Sequence, residues 1–316
     1  MKKDNVFWLL IIILFALITI YLEPNWNKLS ESLSDIISNV KITSVNIDNN
    51  EIYSYSNNTN NETTNKGIPD YYNNYEFDKD LYIYYTLLNE KEKLIYKQIY
   101  ENAISYNKEF EVITPIKIDE LKETIEAIYN DHPELFYLDT NYTYKYNTNN
   151  DVLAINLQFN ETINNIEYNK RLFDNKVNEI VEEAKNLTSD FKKEIYVYER
   201  ILSTTEYDKE AKLNQSAFST LVLGKSVCAG YARAFQLILQ KLEIPTYYVL
   251  GYANEEHAWN IVKLSGEYYN VDLTWDDTGR IYSHFNKTDK ELSSTHSRSG
   301  ISSYLPKCNY YTYRYQ

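Results

Sequence analysis

The stretch GKSVCAGYARAFQLILQKL, residues 224–242, decides the fold. Cys228, Ala232, Phe235, Leu239 and Leu242 recur at helical spacing on one face, so the pattern predicts a helix that starts at the cysteine and packs inward. Ile244 and Pro245 end the segment. A sulfur at such a start lies among unpaired backbone N–H groups and the positive end of the helix dipole, which favour a thiolate. Alone, a cysteine on a core face reads first as a small buried hydrophobe. Its company further along the chain changes that reading.

HAWNIVKL, residues 257–264, and EYYNVDLT, residues 267–274, are β-like runs joined by Ser265 and Gly266, a hairpin turn signal. A two-residue loop sets Leu264 opposite Glu267 and Trp259 opposite Asp272. His257 and Asp272 then share a face as diagonal neighbours, with backbones about 7–8 Å apart. A slip of one residue would put them on opposite faces. Cysteine at a helix start, then histidine and aspartate on paired strands, supplies a nucleophile, a general base and an orienter for its imidazole. The bland alternatives are a satisfied core histidine and a turn carboxylate. Asp276 and Asp277 are alternative orienters, and His132, His284 and His296 read as structural.

Working outward, the chain reads as α+β. Helices are expected over 89–106, with Asn89 as cap, over 119–129, over 163–187 and over 189–205; strands over 142–146 and 152–159 form a hairpin. Of seven glycines, only Gly67 precedes residue 224, which points to tight turns and close approaches in the last third. Upstream, residues 6–22 (VFWLLIIILFALITIYL) follow Lys2 and Lys3 and read as an uncleaved membrane anchor with the rest of the chain extracytoplasmic. A signal peptide is the rival, though no small-residue cleavage site follows. Residues 29–40 carry a weak amphipathic pattern, and 49–66 are an Asn/Ser/Thr-rich linker. The expected organisation is an anchor over 1–24, a juxtamembrane segment and linker over 25–77, an N-terminal α+β region over 78–160 and the cysteine-bearing domain over 161–316.

A formal net charge of −13 and the lack of a basic, aromatic-laced stripe argue against nucleic-acid binding. The 33 tyrosines carry no mechanistic weight. Ser219 stands where a phosphate-binding loop ending in Gly224-Lys225-Ser226 needs glycine. No zinc-motif spacing accompanies Cys228, His257 and Asp272, and no calcium loop appears, so no metal or cofactor is expected. Cys228 and Cys308 are the two cysteines; in an extracytoplasmic chain they could form one disulfide, at the cost of the thiol.

The chain resembles the transglutaminase-like superfamily, whose core has a papain-like thiol fold. The resemblance rests on residues 214–232 (NQSAFSTLVLGKSVCAGYA), Gly251-Tyr252, HAWN at 257–260 and YNVDLTWDD at 269–277, with weaker echoes in DHPELF at 131–136 and FNKTDKEL at 285–292. It looks like the bacterial surface-protein branch. What the resemblance implies is a helix-borne Cys228 packed on an antiparallel sheet, with Cys228, His257 and Asp272 as nucleophile, base and orienter. The implied enzyme is a cysteine acyltransferase, peptidase or amidase acting on protein or peptide amide bonds at the cell surface. Gln215 is an oxyanion-donor candidate beside the Cys228 backbone N–H, and Trp259 a wall against water. The competing class is a non-catalytic adhesion or wall-organising module that keeps the fold.

Overall fold

The computed structural model describes residues 43–46, 75–160, 165–277 and 281–314. The expected anchor, amphipathic segment and linker lie outside them. Among the described residues no helix is long and apolar enough to cross a membrane.

The order opens with a short strand β1 (Thr43–Asn46) and a helical turn α1 (Ile83–Leu87). Helix α2 (Glu90–Ile104) begins where the Asn89 side chain accepts from Lys91 and Glu92 N–H while the Glu92 carboxylate accepts from Asn89 N–H, a capping box. Strand β2 (Glu109–Lys117) and helix α3 (Ile118–Asp131) follow. The sequence signals β2 poorly, because Pro115 interrupts it and its register against its neighbour shifts between Glu111 and Ile116. Strands β3 (Leu138–Tyr146) and β4 (Asp151–Phe159) form the expected hairpin. The sheet order is β1-β3-β4-β2, antiparallel except for β1 against β3.

The second half starts with α4 (Ile166–Ala184) and α5 (Asp190–Thr204), capped by the Asn165 and Ser189 side chains. Strands β5 (Glu206–Tyr207) and β6 (Lys225–Ser226) pair in parallel and deliver the chain to α6 (Cys228–Lys241). Strands β7 (Thr246–Ala253), β8 (Glu255–Leu264) and β9 (Glu267–Val271) come next, then helix α7 (Leu273–Asp277), helix α8 (Asp289–Leu292) and strand β10 (Ser297–Arg298). These strands make an antiparallel sheet in the order β10-β7-β8-β9. The run expected as strand over 267–274 therefore ends at Val271, and Leu273 already belongs to α7.

Helix α6 begins at Cys228 and packs on β7, β8 and α5. Its apolar stripe is not the only buried side: Ala229, Tyr231, Ala234, Leu237 and Ile238 are buried as well. A helix covered all round is a central one, held from several directions. Gly230 permits this. A Cβ there would collide with Ser226 Oγ and come within 2.7 Å of the Asn214 carbonyl oxygen. One apolar cluster runs from Tyr84 to Cys308, so the regions 78–160 and 161–316 share a core. Across that seam Gln236 Nε2 on α6 donates to the Asn130 carbonyl at 2.7 Å, next to Asp131, which accepts from Tyr84 N–H, Tyr85 N–H and the Tyr96 hydroxyl within the first region.

Gly230→Ala is expected to destabilise the protein by about 1–3 kcal/mol, the usual cost of overpacking. Urea denaturation measures it, and a midpoint equal to that of the wild type would refute the close approach of the 214–216 loop to α6.

Candidate active site

The turn of Ser265 and Gly266, both at positive φ, closes the β8–β9 hairpin. Leu264 stands opposite Glu267 and Asn260 opposite Val271, so the register is the expected one. It brings His257 Nε2 to 2.7 Å from Asp272 Oδ2, with both side chains buried. Asp272 sits one residue past the strand, where its Oδ1 accepts the Trp275 N–H at 3.1 Å and caps α7. The cap fixes the carboxylate from one side while the imidazole holds it from the other.

Cys228, half-buried at the start of α6, packs on a small cluster of Ala229, Ala232, Tyr248 and Ala258. Asp272 occupies His257 Nε2, which leaves Nδ1 as the nitrogen facing the thiol. Burial works against the charged imidazole, but hydrogen bonds to Asp272 and to Cys228 and their negative charges outweigh it, and His257 is raised to about 10. For Asp272, burial pushes upward, yet the hydrogen bonds from His257 and His296 hold it down to about 2. The pair is thus an imidazolium and a carboxylate at neutral pH. Cys228 and Cys308 are both free thiols, so no disulfide removes the sulfur. Cys308 is buried, and burial together with the Asp289 charge pushes its thiol up to about 12.

The alternative orienters are committed elsewhere. Asp276 accepts from the Tyr198 hydroxyl at 2.6 Å and pairs with His284 Nδ1 at 2.9 Å; Asp277 accepts from the Tyr231 hydroxyl at 2.8 Å. Gln215 is exposed, next to Asn214, whose carbonyl accepts from Val227 N–H at 3.0 Å, and it lines a cleft with Tyr129, Phe136 and Arg233. Trp259 is buried, stacks near the His257 ring and donates from Nε1 to Asn270 Oδ1 at 3.1 Å.

Some neighbours carry no sequence signal. Tyr207 pairs with Ser226 across β5 and β6, and the Tyr248 ring packs beside the thiol under the Arg233 guanidinium. Trp275 lies over both His257 and His296, with ring centres 6.3 and 4.7 Å away. His296 Nε2 reaches Asp272 Oδ2 at 3.0 Å. His257, Asp272 and His296 are also the only three-residue group among the described residues with metal-ligand spacing. The ordinary pairing of both imidazoles with one carboxylate already accounts for that grouping.

The family model of the transglutaminase-like superfamily matches residues 174–273, from within α4 to the first residue of α7, and that stretch is a transglutaminase-like core. No curated protein matches the chain. Among solved structures it is similar to a candidate cysteine protease from Cytophaga hutchinsonii, at 18% identity and TM-score 0.30 over 39% of this chain and 51% of that one. It is also similar to a TGase, at 17% and 0.34 over 59% and 56%, and to the periplasmic domain of TgpA from Pseudomonas aeruginosa, at 15% and 0.29 over 40% and 56%. The chain spans about half the length of these structures. Likeness at this level says nothing of activity.

Asp272, lowered from 3.8 to about 2, contributes stability that is present above pH 3.8 and lost as pH falls through about 2. His257, raised from 6.5 to about 10, contributes stability present below pH 6.5 and lost as pH rises through about 10. Asp272→Asn, which breaks a buried pair, should therefore cost about 3 kcal/mol on a plateau from about pH 4 to 6.5, with the difference from wild type shrinking on both sides. Urea melts across pH test it; a difference that widens above pH 8 would refute the pairing.

Proposed function

We infer that this chain is an extracytoplasmic thiol enzyme that acts on amide bonds of protein or peptide through Cys228, His257 and Asp272. One observation carries the reading: a buried imidazole held through one nitrogen by a capped carboxylate, with the Cys228 sulfur as the partner left to the ring's other side. An imidazolium beside a sulfur at a helix N-terminus is the setting that favours a thiolate. The placement outside the cytoplasm rests on the apolar run at 6–22 behind Lys2 and Lys3.

In this reaction the Cys228 thiolate attacks the amide carbonyl carbon and an S–C bond forms. The electron pair on oxygen collapses back, the C–N bond breaks, and His257 gives its proton to the leaving amine. An acyl-thioester and a neutral imidazole remain. His257 then takes a proton from the acceptor as that acceptor attacks the thioester, and the thiolate–imidazolium pair is restored. A primary amine as acceptor gives transamidation; water gives hydrolysis. As the first residue of α6, Cys228 offers its own backbone N–H, outside the helical ladder, to the developing oxyanion. Gln215 is the second donor in this scheme, and Trp259 and Trp275 wall the imidazole. No metal or cofactor takes part.

Cys228→Ala is expected to abolish both amine incorporation into a glutamine-bearing protein and release of new N-termini, and His257→Ala to lower them by at least about a hundredfold. Fluorescent-amine labelling and N-terminal mapping read the two outcomes separately. Iodoacetamide labelling of Cys228 at neutral pH that is no faster than for a free thiol, and unchanged in His257→Ala, would instead favour a non-catalytic surface module.

A further inference from the structure

His296 is absent from the reaction just described, yet its ring touches the same carboxylate oxygen as His257. Its Nε2 lies 3.0 Å from Asp272 Oδ2, its Nδ1 lies 2.8 Å from Thr295 Oγ1, and the ring is packed by Trp259 and Trp275. The hydrogen positions follow from a count of partners. The Leu292 carbonyl already accepts the Thr295 and His296 backbone N–H groups at 2.9 and 2.8 Å, while the Thr295 hydroxyl stands 3.2 Å from it. The Thr295 hydroxyl thus has two partners within reach, the Leu292 carbonyl and His296 Nδ1. The Asp272 carboxylate can only accept, so a ring proton sits on Nε2 and is donated to it. The lone pair a metal ion would need on Nε2 is occupied by that proton.

We propose that His296 is a positioning residue of the active site, a second imidazole that shares the Asp272 carboxylate with His257 and limits how strongly that carboxylate holds the His257 proton. The proposal deepens the functional reading above and depends on it for its meaning in catalysis. An orienter that binds the imidazolium too tightly keeps the proton that the leaving amine needs. Division of one oxygen between two N–H donors weakens its pull on each, while the Trp275 N–H keeps the other oxygen in place. The surrounding titratable groups are paired among themselves, His284 with Asp276 and Arg298 with Asp289, and Lys307 lines the same cavity as His296. Cys228 hydrogen-bonds to His257 and not to Asp272 among the contacts described. No other charged side chain among the hydrogen bonds described touches Asp272.

His296 is delivered by the sheet. Ser297 and Arg298 pair with Tyr252 and Gly251 on β7, and a Cβ at Gly251 would collide with the Ser297 carbonyl oxygen and press on the Trp259 ring at 2.6 Å. The bare backbone of Gly251 thus lets β10 approach closely enough to present the imidazole.

The chain has four histidines, so imidazole nitrogen NMR of the histidine-labelled protein resolves each ring. The wild type is expected to show His296 with a proton on Nε2. In His296→Ala the His257 titration midpoint should move up by about half a pH unit or more, and His296→Gln, whose amide N–H can stand in for Nε2–H, should return it toward the wild-type value. A His296 ring protonated on Nδ1 with Nε2 bare, or a His257 midpoint unmoved in His296→Ala, overturns the proposal. The wild-type spectrum decides even if the alanine variant fails to fold. Iodoacetamide labelling of Cys228 in the same samples separates this outcome from failure of the functional reading, since an unreactive thiol would sink the latter while the shared carboxylate stood.

Discussion

The fold around the thiol is organised by one buried carboxylate. Asp272 has no access to solvent, and an ion in that position is tolerable only if every face of it is met by a donor. Three separate pieces of chain supply them: β8 brings His257, α7 brings the Trp275 N–H, and the segment before β10 brings His296. The hairpin register, the short helix after it and the edge strand of the sheet are therefore one requirement expressed three times. Loss of any of them leaves a charge in the interior without its full complement.

Around this centre the supports are rigid elements. Cys228 rides on a helix buried on nearly every side, and His257 on an inner strand of the antiparallel sheet, so neither depends on a loop for its position. Trp259 stacks near the His257 ring and is itself fixed by Asn270, whose amide donates to Asp289 at 3.0 Å; Asp289 in turn binds Arg298 at 2.6 Å. That chain of contacts runs from the imidazole to β10, the strand that directly follows the second histidine. It ties both rings to a common frame.

Much of this is written locally in the sequence. Cys228 at a helix start, the Ser265-Gly266 turn and the alternation of the two flanking runs specify where sulfur, imidazole and carboxylate meet, and Asn89 and Ser189 mark helix starts by capping chemistry. What stays hidden is set by long-range packing. β2 carries a proline and a register break that dilute its period. The end of β9 at Val271 reflects the Asp272 cap, which outcompetes continued strand pairing. His296 lies in a polar run, SSTHSRSG at 293–300, with no periodicity at all; only the pairing of β10 with β7 reveals its destination. The amphipathic stripe of α6 understates its burial, because the faces beyond the stripe are covered by α5 and by the loop at 214–216.

The Tyr84 hydroxyl donates to the Tyr248 carbonyl on β7 and lies 2.7 Å from Ser302 Oγ, which in turn accepts the Leu250 N–H at 3.0 Å. Tyr248 is the same residue whose ring borders the sulfur. The strand that floors the thiol is thus stitched to a helical turn far upstream, outside the segment that matches the superfamily. A protein trimmed to residues 174–273 would keep Cys228, His257 and Asp272 and lose this stitch, along with the hydrogen bond from Gln236 on α6 to the Asn130 carbonyl. The upstream half is thus a part of the frame that holds the thiol and not cargo attached to it.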